Sequence, residues 1–316
     1  MMTIPETAAW LRDHDNYTIL THRRPDGDTV GCAVALCLGL KQLGKQAEIY
    51  ENVQFTEMYQ PRLAGLTAKT VSETVVAVDL ASPGLFPMGF DGPVDLCIDH
   101  HGSNEFYAGH TYVEGDRATC GEVIFDILLA MGVQIDVPIA EALYIAVSTD
   151  TGCFRYSNTT AGTHRTVAAL MECGADVYSI NRMVFETKTK ARYQLESYLT
   201  AGMKLYADGK IGICALPEAE RIRMNATEDD CADISNFPRN MEGVVIGVML
   251  RELPNDHCKI SLRADDRLYN ASDICQVFGG GGHSAAAGAT VSGSLEDGRR
   301  EILRAIAQVT GLQVDA

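Results

Sequence analysis

Three apolar segments of this chain each end at aspartate or histidine residues, and this pattern constrains the fold more than any other feature. The segments cover residues 17–22, 74–79 and 94–98, and the last is followed directly by Asp99-His100-His101. Short, near-continuous apolar runs are typical of buried parallel strands. In a parallel α/β sheet, functional groups collect beyond the carboxyl ends of the strands. The pattern therefore predicts a doubly wound parallel-sheet α/β domain with a site at one edge.

The residues at these segment ends are metal ligands by chemical type. The set combines carboxylates with imidazoles and consists of His22, Asp26, Asp28, Asp79, His100 and Asp150. Its negative charges balance two divalent cations, and imidazole favours transition metals such as manganese over magnesium. Two such ions clamp the attacking and leaving oxygens of a phosphoryl displacement. The sequence therefore predicts a binuclear metal site that acts on a phosphate group.

These residues also have simpler structural explanations. Asp28 could cap the helix that follows it, and Asp79 and Asp150 could form turns at the ends of a strand and a helix. The pair His100-His101 could lie on the surface. A shared site is favoured over these separate explanations because ligand-type residues recur at every one of the segment ends.

The alternation of strands and helices extends to about residue 187, after which the pattern of apolar and polar residues changes. We expect a catalytic metal-binding domain over 1–187, a connecting helix over 188–205 and a smaller α/β domain over 206–316. In the first domain, residues 47–50 form a further strand, and helical spacing is found at 28–43, 120–131, 138–147 and 161–173. In the last domain, strands are predicted at 210–216, 244–253 and 257–263, and a helix at 273–278.

Composition limits the partners of the chain. With 26 Lys and Arg against 42 Asp and Glu, the net charge is −16, which argues against a long nucleic-acid track because such binding uses many cationic contacts. A small phosphorylated substrate is compatible with this charge. No apolar run of about 18 residues predicts a membrane span, and the first residues lack the features of a signal peptide. The 10 cysteines occur singly, which is typical of a reduced, cytoplasmic protein.

The glycine run at residues 279–282, followed by His283, is a second candidate site. It could be a flexible linker, but apolar segments flank it on both sides. Consecutive glycines allow backbone N–H groups to approach an anion closely. The run is neither a P-loop, because no Gly-Lys-Ser/Thr follows, nor a dinucleotide-binding fingerprint.

In their order along the chain, these motifs resemble those of the DHH phosphoesterases. The four motifs are His22…Pro25-Asp26-Gly27-Asp28, Asp79, Asp99-His100-His101 and Asp150-Thr151-Gly152. Ser261-Leu262-Arg263 and Gly279–His283, followed by Ala285-Ala286-Ala287-Gly288, resemble the DHHA1 substrate-binding domain of the same family. The resemblance covers nearly the whole chain. One departure is Ala264, which stands where a small hydroxyl residue is expected after the arginine and puts one phosphate contact in doubt.

The resemblance implies a role for each residue of the metal set. His22, Asp26 and Asp79 would hold one ion, while the other would be held by Asp28, Asp79, His100 and Asp150, with Asp79 as the bridge. Manganese is the expected metal, and magnesium and cobalt are the alternatives. His101 and Asp99 would act in catalysis: His101 would contact the scissile phosphate or assist the leaving oxygen, and Asp99 would orient a histidine.

The resemblance also implies where the substrate binds. Its phosphate would be held by residues of the DHHA1 domain, namely Arg263, Gly280, Gly281, Gly282 and His283. The active site would then lie in the cleft between the two domains, and a homodimer is implied for the whole protein.

Three functions are compatible with the sequence. The first is hydrolysis of very short RNA to mononucleotides and of 3′-phosphoadenosine 5′-phosphate (pAp) to AMP, the activity of the most similar subgroup. The second is a phosphodiesterase for cyclic di-AMP or its linear product pApA. The third is a nucleotide-binding module without turnover, against which the complete ligand set argues. The glycine-rich motif speaks against a family-II inorganic pyrophosphatase, whose second domain is of another type.

Overall fold

The chain divides into two units, Met1–Thr187 and Lys188–Ala316. The structure is a computed structural model, and it describes residues 1–231 and 234–314. Each unit is built around a sheet of its own. The sheet of the first unit carries the predicted ligand residues, so its topology decides where they meet.

The first sheet is parallel throughout, with the strand order β3-β2-β1-β4-β5-β6. Its strands are β1 (Tyr17–Leu20), β2 (Ala47–Tyr50), β3 (Thr67–Ala68), β4 (Thr74–Val78), β5 (Leu96–Asp99) and β6 (His110–Val113). Every residue of β1, β4 and β5 is buried, as their apolar runs predicted. The order reverses between β1 and β4, which is the topological switch point of a doubly wound sheet. The predicted fold class is therefore confirmed.

Helices connect and cover the strands of the first unit. They are α1 (Ile4–Asp13), α2 (Gly27–Gln42), α3 (Gln60–Leu63), α4 (Cys120–Ala130), α5 (Val137–Asp150), α6 (Ala161–Glu172) and α7 (Val177–Asn181). The N-cap of α2 is Asp26, whose side chain accepts hydrogen bonds from the amides of Asp28 and Thr29. Asp26 therefore caps helix α2, and the explanation of Asp28 as the cap is wrong.

Helices α2 and α5 pack closely in the large core of the first unit. Gly31 makes this possible, since a Cβ atom at that position would lie 2.3 Å from the carbonyl oxygen of Ala142. Gly27 at the start of α2 similarly faces Thr149 near the end of α5. The two helices therefore run antiparallel, and their packing brings Asp28 and Asp150 to the same end of the core.

The second sheet is mixed, with the strand order β11-β12-β10-β9-β8-β7. Its strands are β7 (Lys204–Tyr206), β8 (Ile211–Leu216), β9 (Ile246–Leu253), β10 (His257–Ala264), β11 (Gly281–Gly282) and β12 (Ala286–Ser292). The helices of this unit are α8 (Lys190–Gly202), α9 (Glu218–Arg223), α10 (Ala271–Gln276) and α11 (Leu295–Thr310). Only β8 and β9 pair in parallel; the other described pairings are antiparallel.

The second unit differs from the sequence prediction in its details. Helical structure over 188–205 is shorter than predicted, because the chain becomes extended at Met203 and Leu205 lies in strand β7. Helix α8 packs on the second sheet, where Leu195 and Leu199 are buried in one cluster with Met249. Strands β7, β11 and β12 and helices α9 and α11 were not predicted.

The structure also bears on the cysteines and on the search for membrane-spanning helices. All 10 cysteines lie within the described residues, and each is a free thiol. Across 1–231 and 234–314, none of the helices combines the length and the apolar character needed to cross a membrane.

Candidate active site

The predicted ligand residues lie together at the carboxyl edge of the first sheet. His22 follows β1, Asp79 follows β4 directly, Asp99 ends β5, and His100 and His101 come next. These three strands are neighbours in the sheet, at the point where its order reverses. Asp26 and Asp28 stand at the start of α2, and Asp150 is the last residue of α5. The structure thus gathers every predicted metal-site residue at the switch point, where α/β proteins bind ligands.

His100 is surrounded by carboxylates. Its Nε2 atom lies 3.8 Å from Asp28 Oδ2, 3.5 Å from Asp79 Oδ1 and 3.8 Å from Asp150 Oδ2. On the other side of Asp79, His22 Nε2 lies 3.9 Å from Asp79 Oδ2 and 3.5 Å from Asp26 Oδ1. The two oxygens of Asp79 therefore face two different histidines.

Groups that could each hold a metal ion follow from these distances. Within the described residues, the sets whose ligand atoms all lie within 4.8 Å of one another are His22-Asp26-Asp79, Asp28-His100-Asp150 and Asp79-His100-His101. The first set is one of the two ion positions that the resemblance implies, and the second set contains three of the four residues implied for the other. Asp79 is missing from the second set and belongs to the first and the third.

Asp79 itself shows two features of a functional residue. Its backbone adopts a left-handed conformation with φ of 52°, which is uncommon outside glycine but better tolerated by aspartate and asparagine. Its side chain is 3% exposed, and its Oδ1 atom finds no hydrogen-bond partner within the described residues. A buried carboxylate oxygen without a partner is costly unless a cation completes its surroundings. This oxygen and the donor chemistry around it fit a divalent metal.

The electrostatics of the site are those of crowded carboxylates. Burial raises the pKa of Asp28 well above its usual range, and the charges of Asp79 and Asp150 raise it further. Burial likewise raises the pKa of Asp150 to about 6. For His100, burial opposes protonation, but the carboxylates of Asp79, Asp28 and Asp150 outweigh it and raise the pKa to about 10. Positive charge is therefore strongly favoured at the centre of this group.

Asp99 differs from the other carboxylates because both of its oxygens accept hydrogen bonds from nearby donors. It is fully buried, and its Oδ1 accepts from His101 Nδ1 at 2.7 Å and from the backbone amides of His100 and His101. Its Oδ2 accepts from Asn104 Nδ2 at 2.7 Å. Burial alone would favour the protonated form, but these donors hold the pKa of Asp99 below its usual value. The hydrogen bond to Asp99 in turn raises the pKa of His101.

His100 and His22 are oriented by groups that the sequence did not reveal. The carbonyl oxygen of Arg117 lies 3.2 Å from His100 Nδ1 and accepts its N–H, so Nε2 is the nitrogen that faces the carboxylates. The Arg117 side chain is fixed by ion pairs with Glu114 and Asp126. On the other side of the site, buried Asn52 donates to the carbonyl oxygen of His22 at 3.0 Å.

The predicted phosphate-binding residues lie at one end of the second sheet. Arg263 pairs with Ala286 in the register of β10 and β12, and the amide of His283 donates to the Ala286 carbonyl. The Arg263 guanidinium donates to Asn236 Oδ1 at 2.8 Å and to Ser235 Oγ at 2.9 Å, which fixes the direction of its fork.

The glycine run has a structural role beside any contact with an anion. Gly280 precedes β11, and Gly281 and Gly282 form that strand. A Cβ atom on Gly282 would lie 2.5 Å from the carbonyl oxygen of Ala286, whereas Gly281 faces open space. The run is therefore part of a closely packed strand and is not a linker.

Comparison with known proteins places this geometry in a family. Residues 16–147 match the DHH family, N-terminal domain, and residues 213–311 match the DHHA1 domain. The chain is 29% identical to the bifunctional oligoribonuclease and PAP phosphatase NrnA of Thermus thermophilus, over 91% of this chain and 88% of that protein. It is 27% identical to the protein of the same name from Mycoplasma genitalium, over 92% and 93% of the two chains.

A solved structure shares the fold. The exopolyphosphatase-related protein of Bacteroides fragilis superposes with a TM-score of 0.88 at 23% identity, covering 98% of this chain and 96% of that one. Together, the ordered motifs, the clustered ligand residues and the two domain matches show that the chain belongs to the DHH family of phosphoesterases and carries a DHHA1 domain.

Proposed function

We propose that this protein is a two-metal phosphoesterase that hydrolyses short oligoribonucleotides to mononucleotides and pAp to AMP. The observation that carries the proposal is the convergence of His22, Asp26, Asp28, Asp79, His100 and Asp150 on one edge of the first sheet. The choice of substrates is supported by relatives named bifunctional oligoribonuclease and PAP phosphatase, which match about nine tenths of this chain.

One unit would carry out catalysis and the other would bind the substrate. Residues 1–187 would form the catalytic metal-binding domain, and residues 206–316 the substrate-binding domain, with helix α8 (Lys190–Gly202) between them in the sequence. This division is supported by the separate sheets and by the position of all predicted metal ligands in the first unit.

In the proposed metal site, His22, Asp26 and Asp79 would hold one ion, and Asp28, Asp79, His100 and Asp150 would hold the other. Asp79 would be shared by the two ions, which is supported by the positions of its oxygens near both His22 and His100. Manganese suits the mixture of imidazole and carboxylate better than magnesium, and cobalt is an alternative. When bound, the two ions supply Lewis-acid polarisation of the phosphate and activation of the attacking water.

The chain's own contribution to the reaction centres on His101. Asp99 fixes the proton on His101 Nδ1, so that Nε2 is the nitrogen left to meet the substrate. The half-exposed His101 ring favours the protonated state because Asp99 raises its pKa. A proton held at Nε2 can stabilise the scissile phosphate and be donated to the leaving oxygen. Asp99 acts through His101 as a positioning residue.

In the second unit, Arg263 and His283 would bind a substrate phosphate, with backbone N–H groups of Gly280, Gly281 and Gly282 beside them. A guanidinium suits this purpose because its planar fork matches phosphate oxygens. Ser235 and Asn236 already hold that fork in one orientation, which reduces the entropy lost on binding.

A cytoplasmic location is also proposed, supported by the 10 free thiols, which are typical of reducing compartments. The homodimer implied by the family resemblance remains a prediction that the mass of the protein in solution will test.

The experiment is a substrate panel in manganese. Chromatography would follow the products from pAp, 5′-phosphorylated oligoribonucleotides of graded length, pApA and cyclic di-AMP. We expect AMP from pAp and mononucleotides from the shortest RNAs, with no activity in Asp79→Asn. A matched control is Asp95→Asn, because Asp95 also flanks a central strand but accepts a hydrogen bond from Val75 N, outside the site. Turnover confined to cyclic di-AMP or pApA would contradict the proposed substrates.

A further inference from the structure

We propose that the Cys32 thiol is a positioning residue for Asp28, selecting the carboxylate rotamer that directs Oδ2 into the metal site. The inference rests on the proposed two-metal function. It assigns a role to a buried thiol that otherwise looks like ordinary core packing.

The contacts of Asp28 separate its two oxygens. Oδ2 faces the site, 3.8 Å from His100 Nε2, and also accepts from the amide of Cys120 at 2.8 Å. Oδ1 accepts from the Cys32 thiol at 3.2 Å and the Gly121 amide at 3.0 Å. The side chain is therefore held by one thiol and by the first amides of helix α4.

The Cys32 thiol is directed at a side chain of its own helix. Cys32 lies one turn after Asp28 on α2, where a hydroxyl can also bond the backbone carbonyl four residues earlier. Here the Sγ donates to the carboxylate of that residue instead. Both residues are almost completely buried, so water cannot replace the donor if the thiol is removed.

Loss of this contact should weaken the metal site without destroying it. Hydrogen bonds to a ligating carboxylate fix its orientation, and removing such a partner typically lowers metal affinity by about 10- to 100-fold. The amides of Cys120 and Gly121 remain in a Cys32→Ala variant. The expected loss is therefore at the lower end, about tenfold.

Helix α2 supplies a matched control. Cys37 is also fully buried and also donates its thiol hydrogen bond, in this case to the carbonyl oxygen of Ala47 at 3.3 Å. Cys37→Ala removes the same atoms from the same helix and creates a comparable cavity. It leaves every contact of Asp28 in place.

The test measures manganese binding directly, by loss of the free-ion electron paramagnetic resonance signal. Cys32→Ala should bind manganese about tenfold more weakly than the wild-type protein. Cys32→Ser, which keeps a donor, should recover most of the affinity, and Cys37→Ala should match the wild type. The manganese concentration giving half-maximal activity should rise in Cys32→Ala, while the activity at saturating manganese returns close to the wild-type value.

Equal manganese affinities for Cys32→Ala and Cys37→Ala would overturn the inference while leaving the proposed function intact. A wild-type protein that binds none of manganese, cobalt and magnesium would overturn both. If Cys32→Ala fails to fold, Cys32→Val removes the donor without leaving a cavity, and the same comparison with Cys37→Ala decides the question.

Discussion

Replacing Asp79 with asparagine should abolish the stabilisation of the protein by manganese without destabilising the metal-free protein. Asparagine has nearly the same shape, and it tolerates the left-handed backbone found at this position. The substitution removes one negative charge from a buried group that also contains Asp28 and Asp150. In the metal-free protein this relieves repulsion from the other carboxylates but also removes attraction to His22 and His100, so the two effects oppose each other. Asp79→Asn without metal should therefore be about as stable as the wild type.

The size of the expected effect follows from linkage. A ligand at 100 times its Kd stabilises the folded state by about 2.7 kcal/mol. The unit that carries the site spans residues 1–187, and for this size about 1 kcal/mol moves Tm by roughly 2–4 °C. Manganese at that excess should raise the wild-type Tm by about 5–11 °C for each ion that binds. Most of this shift should disappear in Asp79→Asn, since both proposed ion sites lose a shared ligand.

The assay is thermal unfolding of chelator-treated protein, with and without added manganese. Asp95→Asn serves as the control and should keep the wild-type shift, because its carboxylate accepts from Val75 N away from the ligand set. A full shift in Asp79→Asn would refute the bridging role. A large drop in the Tm of metal-free Asp79→Asn would show instead that Asp79 is a structural residue.

Three further predictions concern recognition, substrate length and pH. Arg263→Ala should lower kcat/KM by about 10- to 150-fold, because it removes a charge-assisted contact of roughly 1.5–3 kcal/mol. Calorimetry should show an unchanged manganese affinity, and a parallel loss of metal binding would contradict this prediction. Activity should be highest on RNAs of about five residues or fewer and should respond weakly to salt, since each phosphate contact adds about −0.7 to the salt slope; faster digestion of long strands in a timed length series would contradict it. In the metal-free protein, the wild type should lose stability to urea relative to Asp150→Asn as pH rises from about 4 through 6. The pKa of Asp150 is about 6 when folded, above the unfolded value of about 3.9, so protonation favours folding at low pH and this contribution is lost above 6. A wild type that gains stability relative to Asp150→Asn over this range in chelator would refute that reasoning.

The position of the site could be predicted because it follows from strand chemistry. Apolar runs identify buried parallel strands, and the carboxyl ends of neighbouring strands must lie at one edge of the sheet. His22, Asp79 and His100 were therefore brought together by topology alone. Asp150 was less predictable, since its place depends on the close packing of α5 on α2 at Gly31.

The missed parts of the second unit have different causes. Strand β12, Ala286–Ser292, is rich in alanine and glycine and lacks the apolar alternation that signals a strand. Helix α11 carried a readable signal that the prediction did not use: Ser294 caps it, and Ile302 and Ile306 recur at helical spacing.

The groups that orient the ligands were the least predictable. Arg117 acts on His100 through a backbone carbonyl, and Cys120 and Gly121 act on Asp28 through backbone amides. Every residue has these groups, so residue type gives no signal. Asn104 is the exception, since a buried amide three residues after His101 could have been read as a partner of Asp99.

The central claim is that phosphate-ester hydrolysis by this chain depends on the clustered carboxylates and histidines holding divalent metal. The most direct measurement is the turnover of pAp by chelator-treated protein while manganese is restored in known amounts. We expect no release of phosphate from the chelated protein, and full release of AMP and phosphate once two manganese ions are bound per chain. Undiminished turnover of pAp in the presence of chelator, with no manganese bound, would contradict it.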